Sequence, residues 1–384
     1  MAKDKSPFRN DIKGYKGKVT VKIGIVTIVD NTNYGNRLQN YAVYHILRKN
    51  FGCKAITLVA CEEKAFCNGA YITWIKNQIV KKLCVFPGLA EILFGNTATR
   101  WANFKNWSKL IPTKYFYLHK SLPESLNDDY DLFIAGSDQI WNYHFSFRKF
   151  NDYFLSFAEN KKRNAISGSF GVDSLPEEWK QKYNEELSKF ENISVRESAG
   201  QTIIKDLLGI EVPVLIDPTM MLTKEEWLKV SKKPRVDCSK PYVLKYYLGD
   251  EESKGEIDVW AQENGYEVYE LLNKEIPELY SAGPGEFISL ISNASLVCSD
   301  SFHCIVFSII FFRPFLVYTR QGSENYMTSR LYTLLEKFGF QNRWKHLSTE
   351  EEYLMCDYSL VPKLLEKEQE QFMDYLSKVL KNDL

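Results

Sequence analysis

The side chain in this chain best placed to do chemistry is His303, and its setting can be read from the residues on either side. Residues 295–298 are an apolar run short enough to be a buried strand. Ser299, Asp300 and Ser301 are N-cap residue types, and the apolar segment after them is stopped by Pro314. His303 thus falls in the first turn of a helix, just beyond a strand end. Free N–H groups and the positive end of the helix dipole point outward at such a junction, where α/β proteins meet their ligands. A side chain that changes charge near neutral pH suits proton transfer at that position. The plain alternative is a helix-start histidine satisfied within its own turn.

Polar residues cluster beyond three further expected strands. Asn33 to Arg37 follow the strand expected over residues 19–29, Ser137 to Asn142 follow one over 131–135, and Arg196 closes one over 192–196. In an open parallel sheet such ends line one crevice. The spacing predicts helices over 37–49 and 199–208 and further strands over 55–59 and 162–169. Strand, glycine-containing loop, helix, strand is a Rossmann-like opening, but the loop lacks G-x-G-x-x-G, so no dinucleotide is implied. Residues 214–219 read as a domain boundary. A second α/β series follows, with strands over 242–248, 266–272 and 315–318 and helices over 254–264, 286–293, 330–338 and 362–380. The expected fold is α/β and GT-B-like, with two Rossmann-like domains facing a central cleft. The N-terminal domain spans 19–215 with a basic, aromatic helical insertion at about 62–122. The C-terminal domain spans 216–350, and residues 351–384 form a helix that packs back on the N-terminal domain.

Composition narrows the classes. The 384 residues are 45% hydrophobic, which supports two sizeable cores, and the net charge of zero gives no overall pull toward nucleic acid. The eight cysteines form no C-x-x-C pair and no metal-ligand spacing, so reduced thiols in a cytoplasmic protein are expected, with no metal. Residues 1–18 are polar, with no apolar run of a secretory leader, and residues 305–318 are too short and too interrupted to span a bilayer. Residues 71–120 carry seven lysines and Arg100 against the single acid Glu91, interleaved with aromatic and aliphatic residues. That composition suits contact with an anionic membrane surface; the alternative is an inserted helical unit with a solvated basic face.

Taken in order, several stretches resemble the polysaccharide pyruvyl transferase family. They are Asn33-Tyr34-Gly35-Asn36-Arg37-Leu38-Gln39-Asn40, Gly136-Ser137-Asp138-Gln139-Ile140-Trp141-Asn142, Ser194-Val195-Arg196-Glu197 and Asp217-Pro218-Thr219. Ser299 to His303 follow, then Arg313-Pro314-Phe315, and then Ser329-Arg330-Leu331 with Leu334-Leu335. The resemblance covers residues 20–345 apart from the basic segment. It implies a GT-B-like fold and transfer of a pyruvyl group from phosphoenolpyruvate (PEP), as co-substrate without a cofactor, to two hydroxyls of a hexose. The product is a pyruvate ketal on a cell-surface polysaccharide or its lipid-linked precursor. The resemblance also implies that His303 is the general acid/base and that Arg196 binds the donor. Many members have Arg-Leu-His where this chain has Ser301-Phe302-His303, with the arginine on the donor. Either another cation holds the donor here, with Arg330 and Arg37 as candidates, or the donor sits differently.

PEP carries a carboxylate and a phosphate, which call for guanidinium forks and helix N-termini. Arg196, Arg330, Ser301 and Asp300 are expected around the donor. Asp138 is expected to orient the acceptor hydroxyl or act as its base, unless it merely caps its loop. Asn36, Arg37, Gln139 and Asn142 are expected on the acceptor side. The acceptor is expected to be a polyprenyl-diphosphate-linked sugar, met at the inner face of the plasma membrane through residues 71–120. Two other functions fit the same fold: a GT-B glycosyltransferase using a nucleotide sugar, and a non-enzymatic glycan-assembly partner. Binding of PEP against UDP- or GDP-sugars separates the first from pyruvyl transfer; a tight protein partner without turnover would mark the second.

Overall fold

Lys22–Val26 (β1) has no polar residue after its first position, and every residue after it is buried. A strand buried on both faces belongs at the centre of a parallel sheet, and β1 is the middle strand of five. The computed structural model, which describes residues 20–61, 87–144, 149–249, 255–320 and 328–381, holds two parallel sheets. The first, of Lys22–Val26 (β1), Lys54–Cys61 (β2), Thr113–Tyr117 (β3), Leu132–Asp138 (β4) and Arg163–Gly168 (β5), has the order β3-β2-β1-β4-β5. The second contains Tyr242–Tyr246 (β6), Glu267–Glu270 (β7), Leu296–Ser299 (β8) and Phe315–Val317 (β9) in the order β7-β6-β8-β9. In both sheets the strand order reverses beside a central strand. The crevice at such a point, outside the carboxyl ends of the strands, is where ligands bind in this class of sheet.

Among the described residues the helices of eight residues or more are Tyr34–Phe51 (α1), Pro87–Ser108 (α2), Glu177–Leu187 (α3), Ser198–Leu208 (α4), Glu256–Glu263 (α5), Pro284–Asn293 (α6), Phe302–Ile310 (α7), Ser329–Phe338 (α8) and Val361–Lys381 (α9). Helix α1 starts at Asn33, whose side chain accepts from the Asn36 N–H, and stops at Gly52 in the left-handed conformation. All nine residues of α7 are buried; seven are apolar, and the two polar ones are His303 and Ser308. Helix α9 returns to the first domain: the Tyr375 hydroxyl donates to Ala165 O in β5 at 2.7 Å, and Gln369 Nε2 donates to Met220 O at 2.7 Å. The GT-B-like arrangement expected from the sequence is therefore present.

Three readings change. Residues 192–196 form no strand of their own; Asn192 makes an isolated parallel bridge to Asn164, and Val195 makes isolated parallel bridges to Gly168 and Val214. The segment expected to be helical to residue 122 turns at 109–112 and returns to the first sheet as edge strand β3. Finally, Arg100 is not part of a solvated basic face. It donates to the Tyr34 hydroxyl at 2.7 Å, Tyr280 O at 3.0 Å and Thr32 O at 2.8 Å, joining the first domain, α2 and the second domain. Residues 62–86, which hold three of the seven lysines, lie outside the described residues.

The two domains share one apolar core. The Tyr34 ring stacks on Phe287 of α6 at 4.4 Å, and its hydroxyl donates to Ala282 O at 2.8 Å. Each such aromatic burial is worth roughly 1.5–3 kcal/mol. Ion pairs line the rim of this seam: Glu226 accepts from Lys49 and lies 3.4 Å from His45, both on α1. Proximity to His45, with help from Lys49, outweighs burial and holds the Glu226 carboxyl down at about 2. A carboxyl depressed in the folded state contributes stability that is complete above its unfolded pKa and is lost as pH falls toward the folded one. Glu226→Gln is expected to flatten the fall in urea midpoint between about pH 4.3 and pH 2. An unchanged slope would assign that fall to other carboxyls.

Candidate active site

The imidazole of His303 sits where the two domains meet. Its Nε2 is enclosed and lies 3.4 Å from Asp217 Oδ2. The opposite edge faces Gly35 in the first turn of α1, so closely that a Cβ on Gly35 would fall 2.0 Å from Nδ1. Glycine is required there by close approach. Gly35→Ala is expected to force the ring aside and to cost about 1–3 kcal/mol, the usual range for overpacking, read as a lower denaturation midpoint. The alanine itself suits a helix, so any loss reports the clash.

Asp217 is the hub of the site. Its Oδ2 accepts from Arg196 Nη1 at 2.6 Å and from the Ser137 hydroxyl at 3.3 Å. Its Oδ1 accepts from the Thr219 N–H at 3.0 Å and the Thr219 hydroxyl at 2.7 Å. Burial alone would raise this carboxyl. His303, Arg196 and the Thr219 N–H together overcome that and hold it well below the usual carboxylate range. Arg196 is buried too; burial would lower its guanidinium, but Asp217, Asp138 and Glu197 hold it up. Its Nη2 lies 3.6 Å from Asp138 Oδ1. Asp138 also accepts from the Asn36 side chain, and its backbone has a φ of 78°, unusual for a residue other than glycine. Strained residues of this kind concentrate at functional sites.

Two guanidiniums flank the Phe302 ring: Arg196 Cζ lies 4.5 Å and Arg330 Cζ 5.6 Å from its centroid. Arg330 makes no ion pair with a carboxylate among the described residues. The Gln139 amide lies 3.2 Å from both its terminal nitrogens, turned to present its oxygen. Burial first, and Arg196 second, push the Arg330 guanidinium down. A buried cation beside another cation, without a carboxylate of its own, is suited to an anionic ligand. The neighbouring thiol offers no competing chemistry, because burial pushes Cys304 up to about 12, leaving it protonated at neutral pH.

A sequence model of the polysaccharide pyruvyl transferase family matches residues 33–322. The chain belongs to that family. The match runs from the cap of α1 to just beyond β9 and takes in His303, Asp217, Arg196 and Asp138, but it stops short of Arg330. No curated protein matches the chain. Among solved structures the chain is similar to the Neisseria meningitidis UDP-GlcNAc 2-epimerase bound to UDP-GlcNAc: 11% identity, TM-score 0.47, covering 93% of this chain and 100% of that one. A second is the Methanocaldococcus jannaschii UDP-GlcNAc 2-epimerase in complex with UDP-GlcNAc and UDP: 12% identity, TM-score 0.44, covering 93% and 100%. A third is the E. coli heptosyltransferase WaaC with ADP-2-deoxy-2-fluoro heptose: 11% identity, TM-score 0.33, covering 83% and 99%. Likenesses this remote carry no argument about what this pyruvyl transferase family member does.

The remaining candidate residues divide. Asn36 and Asp138 meet across the first-domain strand ends, and Asn142 lies 2.9 Å from Gln139, so Asn36, Asp138, Gln139 and Asn142 connect to the arginines. Ser301 holds the N-cap position of α7 without a side-chain capping bond, and its N–H donates to the Ser299 hydroxyl at 3.0 Å. Asp300 is committed elsewhere: its carboxylate accepts from the Leu248 and Gly249 N–H groups at 2.8 Å each and from Arg320 at 3.3 Å. A carboxylate so occupied, and of the same sign as the donor, ties down a loop instead of holding an anion. Arg37 is also turned away. It is buried and donates to Ile28 O at 3.0 Å, bracing the loop after β1.

Two residues were missed as site members. Asp217 read as a domain boundary, although Asp-Pro-Thr after an apolar run is also a capping signal, and here Asp217 caps a short turn from Pro218. Glu197 is fully buried, accepting from the Ser169 hydroxyl at 3.0 Å and from the Phe170 and Gly171 N–H groups at 2.8 and 3.1 Å. Its only signal was its place next to Arg196.

Proposed function

We propose that this member of the polysaccharide pyruvyl transferase family moves a pyruvyl group from PEP onto two hydroxyls of a sugar, forming a ketal. Membership supports a transferase acting on polysaccharide. The finer reading is carried by the pair of guanidiniums, Arg196 and Arg330, both close to the ring of Phe302, the residue before His303. Two cations beside one acid/base suit a small donor with two anionic groups, and Arg330 takes the part of the arginine that position 301 lacks. His303 protonates the methylene carbon of PEP, and a sugar hydroxyl attacks C2 as positive charge grows there. The proton His303 gives is replaced by the one lost from that hydroxyl. A second hydroxyl then displaces phosphate, closing the ketal, and its proton leaves with the phosphate. Asp138 and Asn36 orient the attacking hydroxyl, with Gln139 and Asn142 behind them.

The acceptor in this reading is a polyprenyl-diphosphate-linked sugar, and the segment 71–120 meets the inner membrane face through its lysines, not through the buried Arg100, Phe104 and Trp107. Each lysine near an anionic surface is worth about 1 kcal/mol. No helix among the described residues is long and apolar enough to cross a membrane. Flotation with anionic liposomes tests the contact; no binding even at low salt would remove that part. The donor is tested by titration calorimetry with PEP beside UDP- and GDP-sugars. Saturable PEP binding that is lost in Arg330→Ala supports the reading. Binding of a nucleotide sugar and not PEP would overturn it in favour of a glycosyltransferase.

A further inference from the structure

We infer that Asp217 is a positioning residue that fixes the His303 imidazole with its proton on Nε2, which makes Nδ1 the nitrogen that exchanges protons with substrate. This deepens the proposed pyruvyl transfer and rests on it for the identity of the substrate.

The geometry of the two ring edges differs in kind. Nε2 is enclosed, makes no aligned hydrogen bond in the resting structure, and lies 3.4 Å from a carboxylate oxygen. That carboxylate is charged, because Arg196 at 2.6 Å and two donations from Thr219 hold it so. A carboxylate only accepts, so the facing nitrogen carries hydrogen in the neutral ring as well as in the imidazolium. The histidine side chain keeps 9% of its surface, and none of that belongs to Nε2. Nδ1 packs close to the Gly35 backbone on one side, where a Cβ would fall 2.0 Å from it, but unlike Nε2 it is not an enclosed, unpartnered atom, so what access the ring keeps is on the Nδ1 side.

The proton inventory closes on this assignment. The imidazolium holds Nε2–H toward Asp217 and Nδ1–H toward substrate. Delivery from Nδ1 to the methylene carbon breaks one N–H bond, forms one C–H bond and leaves neutral imidazole still protonated at Nε2. The free Nδ1 lone pair then takes the proton of the attacking hydroxyl as its oxygen bonds to C2. Asp217 remains ionised throughout and touches no reacting atom. By holding Arg196 with the same oxygen it also keeps the donor-side cation in register with the ring.

The test uses the full chain labelled with 15N-histidine. Long-range 1H–15N correlation spectra of the wild type, His303→Gln and Asp217→Asn are recorded above neutral pH without substrate. Loss of one of the five histidine patterns in His303→Gln assigns the residue. The expected wild-type pattern is the Nε2–H tautomer, moving toward a mixture or to Nδ1–H in Asp217→Asn. A wild-type Nδ1–H pattern, or one unchanged by Asp217→Asn, would overturn the inference. If Asp217→Asn fails to fold, the wild-type pattern alone still decides. A role of Asp217 in stability alone would not move the tautomer. The spectra need no donor or acceptor, so an Nδ1–H result sinks this assignment and leaves pyruvyl transfer open. A failure of PEP to bind leaves the tautomer result standing.

Discussion

His303→Gln is expected to lower kcat for pyruvyl transfer by about 10²–10⁴-fold while PEP still binds. The ring is the only histidine among the groups around Arg196 and Arg330, and no neighbouring group can substitute for it as acid/base. Asp217 is held ionised by Arg196 and Thr219, so it cannot deliver a proton at neutral pH. Asp138 is held beside Arg196 and Asn36. Glutamine keeps an amide that can face Asp217, which limits the loss of stability. The measurement is phosphate release with acceptor present, beside calorimetric titration with PEP. A variant that binds PEP as the wild type does but turns over at the wild-type rate would remove His303 from the chemistry. A variant that loses PEP binding would make the ring a donor contact.

The second large effect separates the two arginines. Arg196→Ala is expected to lose PEP binding and also about 3–5 kcal/mol of stability, because it leaves Asp217 buried without its cation at 2.6 Å. Asp138, at 3.6 Å, loses the same partner. Arg330→Ala is expected to lose PEP binding to a similar extent at much smaller cost in stability. No carboxylate is left behind, and a cation that repelled Arg196 beside Phe302 is gone. Urea midpoints and PEP titrations on the two variants give four numbers. Equal destabilisation would mean that Arg330 is a structural cation. Retained PEP binding in Arg330→Ala would return the question of what stands in for the arginine absent at 301.

Much of the scaffold was legible because burial writes itself into short apolar runs. The second-domain strands and α7 appear within a few residues of their expected bounds, since a strand buried on both faces and a wholly buried helix have no polar face to confuse the pattern. The expectation failed where one stretch served two environments. Residues 109–122 shared the basic, aromatic composition of the helix before them, and only pairing with β2 shows β3 as an edge strand. Arg100 looked like one more surface cation because composition does not record which side of a helix meets carbonyls.

The sequence by itself determined the family, the two parallel α/β units and the side chains worth watching: His303, Arg196, Asp138 and Asn36. These are local properties, carried by strand ends, caps and motif order. Tertiary structure alone decided which charges touch. Asp217 and His303 are distant in the chain, and so are Arg196 and Arg330, yet the seam between the domains sets them around one phenylalanine. The same packing removed Asp300 and Arg37 by giving them loop partners, and it brought Gly35 against the imidazole. Hydrogen bonds and ion pairs act over about 3–4 Å, a distance that no spacing along the chain encodes once two domains have closed on each other.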